Sequence, residues 1–197
     1  MRIDVALDHR DIDAELARLH QRMHTRGDAL HAMPTVATPL PGMVFRYREV
    51  DGEFYVYVED TVRRALAGCT VFNRVRDADR NASRFLRSPH SRYAGGYQRR
   101  GLATAVYTWA LAAGLCLVSG PRQSPGAHRL WQALAARHEL LYVRLGAEAL
   151  QVLPGAPDGP ESEAFGTRMV LLGAGWDSAR LARLAGSGYD FEPVARG

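Results

Sequence analysis

Two arginines and a glycine stand together at Arg99, Arg100 and Gly101, directly ahead of an apolar run with helical spacing from Leu102 to Gly114. The first N–H groups of a helix have no partner within it, and that end of the helix carries partial positive charge. Gly101 and the small Ala103 let a ligand come close to the backbone, so the turn can hold a phosphate or pyrophosphate. Arg99 and Arg100 would add charge-assisted contacts. Gln98, Arg99, Arg100, Gly101, Leu102, Ala103 and Thr104 are therefore the candidate anion-binding set.

Other reactive side chains are sparse in pattern. Cys69 and Cys116 lie far apart and match no metal-ligand spacing. Two lone thiols fit a reducing, cytoplasmic setting. His20, His24 and His31 have no partner spacing that resembles a metal site, so no metal is expected. The N-terminus is too acidic and broken to read as a signal peptide, and no apolar stretch is long enough for a membrane span.

The elements that must position the turn follow from periodicity. Ile12, Leu16, Leu19 and Met23 predict a first helix over roughly 9–25, with Asp8 or Asp11 as its cap and an end near Gly27. The run HAMPTVATPLPGM is a loop or an extended connector. MVFRYREV, EFYVYVED and ALAGCTVFNRV then predict three antiparallel strands, with Asp51-Gly52 as a hairpin turn. RFLRSPHSRYA is a fourth strand made awkward by Pro89, because proline usually marks an edge or a bulge. Strand LCLVSG, a helix over about 125–137, strand LLYVRL, a loop at 154–166, strand TRMVLL and a terminal helix DSARLARLAG complete the chain. Ala105, Val106, Trp109, Ala110 and Ala113 are expected to face the sheet. Antiparallel pieces followed by β-α-β-α-β crossovers predict a mixed α/β sheet with helices packed on it.

Charge is concentrated. All 25 basic side chains are arginine, and ten of them lie between Thr61 and Arg100 against Asp77 and Asp79 alone. That segment carries +8 in a chain of net charge +4, so the remainder sums to −4. A basic centre in an otherwise acidic protein suggests an anionic partner, and a nucleic acid along Arg63–Arg100 is one such partner. The absence of lysine is explained by GC-rich codons.

With the turn placed after a meander and before a helix, the chain resembles the GNAT family of N-acetyltransferases. The family signature, Q/R-x-x-G-x-G/A at a strand-to-helix turn, cradles the pyrophosphate of acetyl-coenzyme A. Here it reads Gln98-Arg99-Arg100-Gly101-Leu102-Ala103, with Tyr97 just before it. The resemblance covers about residues 43–145 in element order, plus the final strand. It implies a GNAT-like transferase domain at 43–197, with 1–42 as an N-terminal helix and connector of the same domain. It also implies acetyl-coenzyme A as acyl donor, no metal, and direct attack by an amine acceptor, a small molecule or a peptide. The run LVSG…QS…LW resembles phage- or prophage-type members of the group.

The same resemblance implies a strand beside the motif whose backbone N–H polarises the thioester, matching Tyr93 and Ala94. Such stabilisation needs only backbone donors. The acceptor amine must lose a proton, and His90 is the only histidine, aspartate or glutamate on that strand. The family's N-x-x-A-x-x-L-Y-like run, whose tyrosine returns a proton to the thiolate, matches Ser124 to Trp131. Trp131 stands in the tyrosine position and cannot serve as that donor, which leaves Ser119, Ser124 or water, and makes Trp131 a wall of the site or core. Two other readings stay open: a nucleic-acid-binding or nucleic-acid-modifying protein on the same fold, and a coenzyme A-binding protein without catalysis. Exposed sheet edges make a homodimer possible.

Overall fold

A computed structural model of the chain describes residues 2–3, 9–75, 82–146, 150–156 and 166–184, with side chains from Ile12 onward. In chain order the elements are β1 (Arg2–Ile3), α1 (His9–Met23), β2 (Thr35–Ala37), β3 (Met43–Val50), β4 (Glu53–Asp60) and β5 (Ala65–Arg74). Then come α2 (Ala82–Phe85), β6 (Leu86–Tyr93), a single 3-10 turn (Gly95–Tyr97), α3 (Leu102–Ala112), β7 (Cys116–Val118) and β8 (Arg122–Gln123). The remaining described elements are α4 (Pro125–Ala135), β9 (Leu140–Leu145), β10 (Leu150–Leu153), β11 (Thr167–Leu171) and α5 (Ser178–Leu184).

Among the described residues nine strands form one mixed sheet in the order β10-β9-β11-β7-β6-β5-β4-β3-β2, and β1 pairs with β8 separately. The meander β3-β4-β5-β6 is antiparallel throughout. Asp51 and Gly52 link β3 to β4 with φ values of 53° and 74°. Two left-handed residues in a two-residue loop give the twist that a tight hairpin needs. The mixed α/β sheet expected from the sequence is thus the observed architecture. The proposed cap Asp8 and the residues Arg76 and Arg80 lie outside what is described, as does the side chain of Asp11.

Alternation along the strands divides the core. Leu117 of β7 faces α3 and α4, where Val106, Tyr107, Ala110, Leu111, Trp131 and Leu134 pack against Phe45, Val56, Val58 and Phe72. Its neighbours Cys116 and Val118 face the opposite side, with Ala82 and Phe85 of α2 and Leu181 of α5. On that second face α1 lays Ile12, Leu16 and Met23 over Tyr57, Leu66 and Cys69. Both cysteines are buried, which pushes each thiol up to about 11 and leaves it an unreactive apolar filler.

Three local expectations change. The stripe of α3 is wider than expected: Val106 and Ala110 are buried and Ala105 and Trp109 pack on the core, but Leu102, Tyr107 and Leu111 are inside as well and Ala113 is exposed. β10 forms where no strand was assigned, held by its antiparallel pairing with β9. β2 turns part of the proline-rich connector into an edge strand.

Pro89 sits in an interior strand, and the hydrogen-bond pattern explains how. Ala94 N–H donates to Ala67 O at 3.0 Å, so even-numbered residues of β6 turn their N–H groups toward β5. Odd-numbered residues turn theirs the other way, toward β7. The N–H that Pro89 lacks would have faced an edge that β7 does not cover.

Candidate functional site

The gap at that edge is the centre of the site. β6 and β7 are parallel and pair through Leu86 with Cys116 and Arg87 with Leu117; among the described residues the pairing ends there. β6 runs on to Tyr93 while β7 departs, so the backbone edge from Ser88 to Tyr93 is left without a strand partner on the β7 side. By the same alternation, the N–H groups of Ser91 and Tyr93 point into this opening. Of the two backbone donors expected from the sequence, Ala94 is engaged by Ala67, and Tyr93 is the one that faces the gap.

Beyond the gap the chain makes the turn that opens α3. Gln98 Nε2 donates to Tyr93 O at 3.1 Å, tying the turn to the end of β6 rather than reaching outward. Arg99 has φ 59° and Gly101, the N-cap of α3, has φ 76°. Two left-handed residues in three expose successive N–H groups on one side, an arrangement that favours anions. No side chain caps α3, and its first backbone bond runs from Ala105 N–H to Gly101 O at 2.9 Å. The N–H groups of Leu102, Ala103 and Thr104 are therefore unengaged within the helix. A Cβ on Gly101 would meet open space, so glycine is required there by the backbone angle. The Leu102 side chain is buried in the core, so its part in the turn is backbone only.

Tyr97 links this turn to the β4–β5 hairpin. Its hydroxyl donates to Asp60 Oδ2 at 2.9 Å, and Arg100 and Arg63 lie 5.5 and 6.0 Å from its ring centre. Asp60 also accepts from the Arg63 N–H at 2.8 Å and from the Arg63 guanidinium at 3.1 Å. These bonds, the Arg63 N–H first, hold its carboxyl below the usual range. The result is two guanidinium groups anchored on one ring beside an uncapped helix start.

A cleft of about 340 Å³ opens on the α1 side of Tyr97. Asp13, Leu16 and His20 of α1 form one wall, Arg64 and Leu66 another, and Ala94 and Gly96 the floor. His90 lies on the same face of β6 as Ala94, two residues apart from Arg92 and exposed. Arg92 Nε approaches His90 Nε2 at 3.4 Å, and the Arg92 guanidinium is paired with Glu15 of α1. Partial burial and Arg92 push the His90 pKa down, and Glu15 offsets this in part. His90 is neutral at pH 7 and able to take a proton.

The remaining expected residues have structural duties. Ser119 is buried, and its Oγ accepts the Met169 N–H at 3.0 Å, which extends the β7–β11 ladder. Ser124 caps α4 by accepting the Ala127 N–H at 3.1 Å. Trp131 is 2% exposed and packs edge-on against Tyr107, so it is core and not a wall of the gap. Sequence reasoning missed a chain of hydroxyls on the α3 face of β5 and β6. Thr70 Oγ1 lies 2.8 Å from Ser91 Oγ and 3.1 Å from the Tyr93 hydroxyl, and Ser91 Oγ lies 3.2 Å from the Tyr107 hydroxyl. Burial raises the Tyr107 hydroxyl to about 12 and pushes Tyr93 higher still, so both are neutral donors. The legible signal was alternation: Ser91 and Tyr93 had to share the α3 face of β6.

The described arginines of the arginine-rich segment have different settings. Arg87 is buried, stacked on Phe54, and donates to the carbonyls of Ser83, Arg84 and Leu86. Arg63 is bound to Asp60, Arg92 to Glu15, and Arg74 lies against the Asp51-Gly52 turn. Arg99 and Arg100 remain exposed at the start of α3.

The chain matches no protein-family model and no curated protein. Among solved structures it is similar to a GNAT superfamily phosphinothricin acetyltransferase from Sinorhizobium meliloti in complex with acetyl-coenzyme A, at 21% identity and a TM-score of 0.35. The match covers 62% of this chain and 62% of that one. A likeness of this extent carries no functional conclusion, and the reading below rests on the geometry of the chain itself.

Proposed function

We propose that the chain is an acetyl-coenzyme A-dependent N-acetyltransferase that transfers an acetyl group directly to a primary amine. One observation carries the reading: an unpaired strand edge ends at an uncapped helix start whose turn is left-handed at Arg99 and Gly101. An extended amide-bearing chain can pair with the first, and a pyrophosphate with the second. Coenzyme A has both parts in that order.

In this arrangement the N–H groups of Leu102, Ala103 and Thr104 bind the pyrophosphate, with Arg99 and Arg100 supplying charge. The edge of β6 receives the pantetheine arm, and the Tyr93 N–H polarises the thioester carbonyl. The cleft beside Ala94 admits the amine from the α1 side. Its nitrogen bonds to the acetyl carbon, the carbon–sulfur bond breaks, and one amine proton passes to His90, directly or through water. The thiolate takes its proton from water, since Ser119 and Trp131 are buried in the core. No step draws on a metal. Arg87 is buried, and Arg63 and Arg92 are held in ion pairs with Asp60 and Glu15, which favours this reading over a phosphate track for nucleic acid.

The test is release of free thiol from acetyl-coenzyme A in the presence of primary amines such as spermidine, tryptamine and amino-acid amides. Amine-dependent release is expected. Coenzyme A binding without release for any amine would leave a binding protein and remove the enzyme. His90 adds a sharper prediction. Its pKa is lowered by burial and by Arg92, so the neutral base is lost only in acid, and the rate rises with pH to a plateau reached at lower pH than for a free histidine. His90→Gln is expected to lower kcat by about 100-fold or more and to abolish that acid limb, with the acetyl-coenzyme A KM unchanged. An unchanged pH profile in the variant would assign the base elsewhere.

A further inference from the structure

A second cluster of reactive groups lies outside the donor site, under α1. His20 and His24 are one helical turn apart and present their imidazoles to Glu59 of β4. His24 Nε2 lies 2.8 Å from Glu59 Oε1, and His20 Nε2 lies 3.4 Å from the same oxygen. The three ligand atoms are all within 4.8 Å of one another. Glu59 is 4% exposed at its side chain, and Arg46 holds its other oxygen, Oε2. That grip turns Oε1 toward the two histidines.

One detail separates this cluster from an ordinary ion pair. His20 Nε2 is buried and has no hydrogen-bond partner among the described residues, although it lies 3.4 Å from the carboxylate. A buried ring nitrogen without a partner costs free energy, and a cation between it and Oε1 would remove the cost. Tetrahedral zinc with ligand bonds of about 2.0–2.1 Å needs ligand atoms about 3.3 Å apart, and the two imidazole–carboxylate distances of 2.8 and 3.4 Å lie on either side of that spacing.

We propose that His20, His24 and Glu59 form a binding site for a divalent transition-metal ion of the zinc class, with a fourth position open to the cleft that His20 lines. Two neutral imidazoles and one carboxylate suit zinc or cobalt and not magnesium or calcium, which favour all-oxygen shells. Arg46 acts as the outer partner that orients the carboxylate. A bound ion would pin α1 to the β4 strand and so fix the wall of the cleft. The site does not depend on the acyl-donor reading, because it shares no ligand with the start of α3.

The test uses the full chain, free of any affinity tag and treated with a chelator, then titrated with zinc chloride by calorimetry and with cobalt chloride by visible absorption. One ion per chain with micromolar or tighter affinity is expected, with a cobalt spectrum of four or five ligands including nitrogen. His20→Gln and His24→Gln are each expected to weaken zinc by at least about tenfold, the size found even for outer partners. His31→Gln, an exposed loop change, should leave it unaltered. Both ligand histidines are partly exposed, so circular dichroism of the variants will confirm that the fold persists. Absence of saturable binding at about 1 mM zinc, or binding that survives loss of both histidines, would overturn the proposal. The three residues would then be an ion-pair staple between α1 and the sheet.

Discussion

Acetyl-coenzyme A is expected to bind the Arg100→Glu, Gly101→Glu protein at least about 100-fold more weakly than the unaltered chain. Gly101 sits at φ 76°, where a glutamate is strained, and its carboxylate would stand at the positive end of α3. Arg100 would change from an attractive to a repulsive charge beside the same phosphates. Loss of charge-assisted hydrogen bonds costs about 1.5–3 kcal/mol each, so two such losses exceed the roughly 2.7 kcal/mol that a 100-fold change represents. Gly101→Asn is the companion variant, because asparagine tolerates the left-handed region and adds no charge. It should keep the helix start and most of the affinity. Equal affinity in the double variant, measured by calorimetry, would detach the ligand from α3.

Gly68→Ala is expected to have the largest effect on stability among the substitutions near the site. A Cβ on Gly68 would lie 2.2 Å from Tyr93 Cδ1 and 2.6 Å from Arg92 O. The Tyr93 ring covers this glycine while its hydroxyl reaches Thr70. The methyl must displace the ring, breaking that hydrogen bond and shifting the β6 end whose N–H faces the gap. Overpacking and the lost bond together cost about 3 kcal/mol, or about 6–12 °C in Tm for a chain of this size. Gly96→Ala, where a Cβ meets nothing within 4 Å, should stay within about 0.5 kcal/mol. Adding Tyr93→Leu to Gly68→Ala should recover part of the loss. A melting curve of Gly68→Ala matching that of Gly96→Ala would contradict the packing described here.

The elements that build the site were legible where the signal was local. The β3–β4 hairpin announces itself in two alternating runs around Asp51-Gly52, and Arg99-Arg100-Gly101 marks the start of α3. Signals that depend on which faces meet were not. Pro89 looks misplaced until β7 is seen to leave β6 after Arg87, a tertiary fact with no trace in the run itself. The extent of the buried face of α3 was not legible, because Tyr107, amphipathic, turns inward to Ser91, while small Ala113 stays outside. His20 and His24 show helical spacing, but their partner Glu59 comes from a strand 35 residues beyond His24, and only the packing of α1 brings it near. Trp131 in place of a tyrosine led attention to Ser119 and Ser124, whereas the packed hydroxyls are those of Thr70, Ser91, Tyr93 and Tyr107.

The central claim is that the start of α3 holds the pyrophosphate of an acyl-coenzyme A whose arm lies along the open edge of β6. Calorimetric titration of the full chain with acetyl-coenzyme A and, in parallel, with S-acetylpantetheine tests it most directly. One-to-one micromolar binding of the first is expected, and the second, which lacks every phosphate, should bind at least about 100-fold more weakly. Equal affinity for the two, or no binding of acetyl-coenzyme A at about 1 mM by the folded protein, would contradict it.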